Sequence, residues 1–158
     1  MAKVILLCGK ICAGKTTYAR RLVAERRAVY LSLDDMMLKL FSEYELGDRY
    51  DEVAALANEY LSKIAADIAN AGTDVIFEGL AWTRENRREA TEFFRHKRIA
   101  AEWHYIDVSD KEWKARISKR NQESNHDKSA YFVDENLTRK CVELFELPLE
   151  DEIDVHIL

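Results

Sequence analysis

Proline occurs once and glycine five times in 158 residues. That scarcity argues against a loop-rich or low-complexity chain, so most of the sequence is expected in regular structure, each glycine answering a particular backbone need. Cysteine is also sparse, at three. An odd count excludes a simple disulfide framework, and Cys8, Cys12 and Cys141 form no zinc-type cluster with histidine. No charged-then-apolar leader is read, and no apolar run approaches the roughly 20 residues of a membrane-spanning helix. The cytoplasm is the expected location, with no membrane role. Positive charge is in deficit, with 24 Lys and Arg against 29 Asp and Glu and a net charge of -5. This disfavours a broad polyanion-binding surface and leaves room only for a local basic cleft. What the chain does have is 47% hydrophobic and 34% charged residues at the length of one ordinary domain. A single self-folding domain over 1–158 is expected.

Short apolar runs alternate with helical periodicity. Lys3 to Cys8 reads as a strand buried on both faces, Lys15 to about Arg27 as a helix, and Ala28 to Ser32 as a second strand. From Val53, Leu56, Ala57, Tyr60, Leu61, Ile64, Ala65 and Ile68 follow helical spacing until Gly72. Thr73 to Phe77 is the third strand, Thr83 to about Lys97 a helix, and Ile99 to Val108 contains the fourth strand. Ser109 is read as the N-cap of a helix to about Asn121. Asp134 caps another with Leu137, Cys141, Leu144 and Phe145 on one face, and Ile153 to Leu158 offers a fifth strand. Gln122 to Ser129 is polar and reads as an exposed connection. Strand–helix alternation of this kind implies an α/β fold, one parallel sheet with helices on both faces.

Gly9-Lys10-Ile11-Cys12-Ala13-Gly14-Lys15-Thr16 satisfies the phosphate-loop pattern between a strand and a helix. Backbone N–H groups from Gly9 through Ile11, Cys12, Ala13 and Gly14 to Thr16 and Thr17 are expected to cradle the phosphates of ATP. Lys15 would neutralise the β/γ-phosphates, and the Thr16 hydroxyl would serve Mg2+. Carboxylates follow three strands. Asp34 is read either as a helix N-cap for Met36 to Phe41 or as a metal-side acid, and Asp35 as general base beside the acceptor hydroxyl. Glu78 either ends its strand or organises the metal's water and the substrate, and Asp107 reads as structural. Trp82, Arg84 and Arg87 open a helix over the same cleft. One of the two arginines is expected to reach substrate, and Trp82 either covers the pocket or packs. Arg116 and Arg120, four apart, suggest a lid at about 114–133 that brings positive charge to the transferring phosphoryl group.

The ordered set GKICAGKTTYARRL, YLSLDDMM, VIFEGLAWTRENRR and IDVSDKEWKARISKRN resembles small P-loop kinases of the AAA-type ATP-binding, zeta-toxin, gluconate-kinase and polynucleotide 5'-kinase-like group. The resemblance implies a three-layer P-loop NTPase fold with a five-stranded parallel sheet in adenylate-kinase order. It also implies ATP and Mg2+, a general base matching Asp35, lid arginines matching Arg116 and Arg120, and a C-terminal FELPLEDE segment near the adenine. In the polynucleotide kinases an arginine stands three residues past the catalytic aspartate, where this chain has Leu38. The expected function is an ATP-dependent kinase acting on a hydroxyl of a small molecule. A polynucleotide 5'-hydroxyl kinase is the alternative, with nucleic acid disfavoured by charge, and an ATPase or sensor module without acceptor is a third reading.

Overall fold

The computed structural model describes residues 1–41, 46–124 and 132–158. Five parallel strands, β1 (Lys3–Cys8), β2 (Val29–Ser32), β3 (Val75–Glu78), β4 (Ala100–Ile106) and β5 (Val155–Ile157), lie in the order β2-β3-β1-β4-β5. β1 is central because it is apolar on both faces. Val4, Leu6 and Cys8 enter one core and Ile5 and Leu7 the other, so neither face tolerates solvent. Helices α2 (Leu33–Leu40), α3 (Tyr50–Asn70) and α4 (Arg84–His96) cover the first face. Helices α1 (Lys15–Arg26), α5 (Asp110–Ser124) and α6 (Glu135–Leu144) cover the second. The three-layer α/β architecture and its strand order match the expectation. Among the described residues no helix is long and apolar enough to cross a membrane.

Several local expectations need correction. On α3 the buried stripe is Ala54, Ala57, Leu61, Ala65, Ala66 and Ala69, whereas Leu56 and Tyr60 point outward at 60% and 59% exposure. The small side chains let the helix approach the sheet closely, and this outweighs the larger apolar pair. The cap of α2 is Ser32, whose Oγ accepts from the Asp35 N–H at 3.2 Å, and not Asp34. Helix α5 runs through Ser124, since Gln122 and Glu123 offer no helix breaker. On α6 Cys141 is buried but Leu144 is exposed at the last position. Of the expected lid, residues 114–124 belong to α5, while 125–131 lie outside the described residues. Its two flanks meet where Asn121 pairs with both main-chain groups of Val133, at 2.7 and 2.9 Å.

Candidate active site

The loop leaving β1 folds tightly because two glycines allow it. A Cβ on Gly9 would stand 2.6 Å from the Ile106 carbonyl oxygen at the end of β4. Gly14 adopts φ +102°, in the left-handed region, immediately before α1. Cys12 also takes a left-handed conformation, φ 56°. Lys15 Nζ curls back to donate to the Gly9 and Lys10 carbonyls at 3.1 and 2.9 Å. Its ammonium therefore sits inside the loop, with Thr16 beside it and Thr17 exposed on the next position of the helix.

Helix α5 straps this loop from above. Trp113 Nε1 donates to the Ile11 carbonyl at 2.7 Å, and Lys10 Nζ lies 4.7 Å from the centre of the Trp113 ring. Arg116 Nη1 donates to the Ala13 carbonyl at 2.5 Å and also pairs with Glu112. Arg120 Nη1 reaches Cys12 Sγ at 3.3 Å, while its Nε is buried with no hydrogen-bond partner among the described residues. A buried cationic donor left open beside the phosphate loop suits an anionic oxygen.

The carboxylates divide. Glu78, 6% exposed at the end of β3, accepts from Tyr30 Oη at 2.6 Å and from Thr16 Oγ1 at 3.4 Å, with Lys15 Nζ at 3.8 Å. Asp34 is exposed to solvent, though many protein atoms stand around it. That crowding pushes its carboxyl above the usual range, with Lys15 opposing, Glu78 adding, Arg120 opposing and Asp35 adding. Water at the open side weakens the desolvation, so what distinguishes Asp34 is the company of Lys15, Glu78 and Arg120. Asp35, one residue on, is exposed like Asp34, and among the described residues neither side chain makes a hydrogen bond or ion pair. Thr16, donating its only hydrogen toward Glu78, keeps both lone pairs. Together with the Glu78 carboxylate it provides hard oxygen donors that fit Mg2+.

Beyond β3 the expected substrate residues separate. Arg87 is 1% exposed, bidentate to Glu152 at 3.2 and 3.3 Å, and donates to the carbonyls of Ala81, Trp82 and Glu146 at 3.0, 3.4 and 3.1 Å. All three guanidinium nitrogens are engaged inside the protein, so Arg87 holds the β3–α4 loop to the C-terminal segment and does not face a substrate. Arg84 is exposed, and its backbone N–H donates to Glu146 at 2.6 Å. Trp82 is half-buried and packs on the α1 side of the sheet. The FELPLEDE segment is fixed by these bonds and by Glu146 N–H donating to the Trp82 carbonyl at 2.8 Å. Asp107 accepts from Tyr105 Oη and the Val108 N–H at 3.1 and 2.8 Å, as a structural acid should. Tyr30 and Trp113 were not anticipated as parts of the site. Tyr30 was legible only as a hydroxyl on a strand face otherwise bound for the core, and Trp113 only as an aromatic four positions after a helix cap.

A glycine-bent loop between β1 and α1, backed by a buried acid on the neighbouring parallel strand, defines the P-loop class of α/β proteins. The chain belongs to the AAA domain family, whose model matches residues 4–148. No curated protein matches it. Among solved structures it is similar to Kti12 of Chaetomium thermophilum in complex with ADP-AlF3. The TM-score is 0.73 at 16% identity, covering 98% of this chain and 87% of that one. It is also similar to the Mycobacterium tuberculosis APS kinase CysC bound to AMPPNP and APS, with TM-score 0.67, 18% identity and coverage of 99% and 87%. A sugar kinase from Janibacter sp. HTCC2649 gives TM-score 0.65 at 17% identity, over 99% and 85% of the two chains. At these identities the likeness is one of fold.

Proposed function

We propose that this protein is an ATP-dependent kinase that transfers the γ-phosphoryl group to a hydroxyl of a small molecule. The observation that carries the reading is one cluster: Lys15 in the loop, Glu78 and Thr16 beneath it, Asp34 facing it, and Arg116 and Arg120 above it. Similarity of fold to a sugar kinase and to an APS kinase supports it.

The loop N–H groups and Lys15 hold the β- and γ-phosphates in line with the acceptor. Asp34 takes the place of the expected Asp35 as base in this proposal, because Lys15, Glu78 and Arg120 are among its charged neighbours. It takes the acceptor's hydroxyl proton as the acceptor oxygen bonds to γ-phosphorus and the bond to the β–γ bridging oxygen breaks, leaving ADP. Arg116 and Arg120 exchange their loop partners for phosphoryl oxygens as charge spreads over them. Thr16 and Glu78 would hold Mg2+, which when bound offsets the charge of the β- and γ-oxygens. Arg84, exposed at the mouth, remains available to an acceptor.

A screen of ATP consumption with Mg2+ across sugars, nucleosides, aminoglycosides and 5'-hydroxyl oligonucleotides tests the reading. Stimulation of ADP release by a small hydroxylated compound is expected. Stimulation by oligonucleotides alone would favour the polynucleotide kinase, and slow hydrolysis indifferent to every acceptor would favour the sensor module.

A further inference from the structure

Tyr30 reaches the site from the strand beside the buried acid and has no part in the transfer itself. It comes from β2, pairs opposite Ile76 on β3, and sends its hydroxyl diagonally to Glu78 Oε2 at 2.6 Å. Thr16 Oγ1 donates to the same Glu78 oxygen at 3.4 Å. One carboxylate oxygen thus joins the phenol of β2 to the threonine of the phosphate loop. Glu78 Oε2 receives two hydroxyl hydrogens, and Oε1 is left 3.8 Å from Lys15 Nζ. Without the 2.6 Å bond, the carboxylate would be free to swing the short remaining distance onto Lys15 and form a closer pair.

We infer that Tyr30 is a positioning residue: its hydroxyl holds the Glu78 carboxylate on Thr16 and away from Lys15, and so couples magnesium to nucleotide binding. The inference rests on the nucleotide reading above. A tyrosine that merely found a partner for a buried hydroxyl would affect stability and leave this coupling unchanged.

Calorimetric titration of the purified protein with ATP, once in EDTA and once with excess Mg2+, separates the two. In the wild type Mg2+ is expected to tighten ATP binding. Tyr30→Phe should bind ATP in EDTA as the wild type does, while the tightening by Mg2+ falls by about fivefold, the worth of one hydrogen bond. Glu78→Gln should lose the tightening as well, and the double variant should lose no more than Glu78→Gln alone, because both changes break one arrangement. The inference is overturned if Tyr30→Phe keeps the full tightening, if it only lowers the melting temperature, or if the two losses add. Wild-type protein that binds ATP without help from Mg2+ overturns it too. Wild-type protein that binds no ATP removes the kinase reading itself.

Discussion

Asp34 and Asp35 are identical side chains one position apart that meet different surroundings. Ser32 fixes their helix by capping it at the Asp35 N–H, and the turn that follows sets Asp34 in the field of Lys15, Glu78 and Arg120. Asp34→Asn should therefore leave ATP affinity within a few-fold of wild type and lower the acceptor-dependent rate by ~10^2 or more, with Asp35→Asn doing less. Steady-state kinetics on both variants checks this, and the opposite ranking returns the base to Asp35. Arg87 carries a different expectation. Its removal strips Glu152 of its cationic partner, takes a donor from the Ala81, Trp82 and Glu146 carbonyls and leaves a void, so Arg87→Ala should lose ~3 kcal/mol in urea unfolding. A loss under ~1 kcal/mol would leave the guanidinium open to a substrate role after all. His104 is 3% exposed, with Tyr18 Oη 2.7 Å from its Nδ1 and Glu102 3.6 Å from its Nε2. Burial holds its pKa below the ordinary value despite Glu102. The unfolded chain then takes up a proton that the folded chain refuses. His104's contribution is complete above a pH of about 6.5 and is lost as pH falls from there toward the folded-state pKa. The stability lost on going from pH 7.5 to 5.5 should be smaller in His104→Gln than in wild type. An unchanged loss would assign the acid sensitivity elsewhere.

Among the elements, α5 supplies three side chains to the phosphate loop. Trp113, Arg116 and Arg120 come from successive turns of one helix face and reach Ile11, Ala13 and Cys12 in the loop. The tryptophan fixes the loop's shape, whereas the arginines hold carbonyl and sulfur acceptors that they can give up to phosphate. Trp113→Phe deletes the donor and, from a side chain only 4% exposed, part of the indole. ATP affinity should fall about fivefold or more and the melting temperature should drop as well, since a cavity is added to the lost hydrogen bond. Alanine at Arg116 or Arg120 should instead lower the transfer rate more than it weakens ATP binding. Hydrogen exchange over 116–124 should slow when ATP and Mg2+ are added, because the two arginines then draw the second half of α5 onto the ligand. Exchange insensitive to nucleotide, with full rates in both alanine variants, would return the arginines to a solvated helix face.

Across the whole molecule, what could be read from sequence was what is encoded locally. The β1 run and the glycine-bent loop each lie within about ten consecutive residues, the strand–helix alternation is read one element at a time, and sheet and loop followed from them. The roles of Arg87, Tyr30 and Trp113 depend on partners 65, 48 and 102 positions away, a distance over which no periodicity speaks. The same holds for the Asp34–Asp35 choice, which turns on where Ser32 rather than an aspartate begins α2. Arg87 shows the cost of judging by type: an arginine at a helix start over a cleft reads as substrate-facing until Glu152 returns from the far end of the chain. Net charge of -5 and the clustering of cations around one loop support the proposal of one small anionic ligand over that of a polyanion surface.

The fate of the transferred group tests the central claim most directly. With ATP labelled at the γ-phosphorus, Mg2+ and a mixture of small hydroxylated acceptors, the wild-type protein should move the label into a phosphate ester that resists exchange with free phosphate, and Lys15→Ala should move none while remaining folded. Label recovered only as inorganic phosphate at a rate no acceptor changes, or equal transfer by Lys15→Ala, would contradict the assignment of this site to phosphoryl transfer.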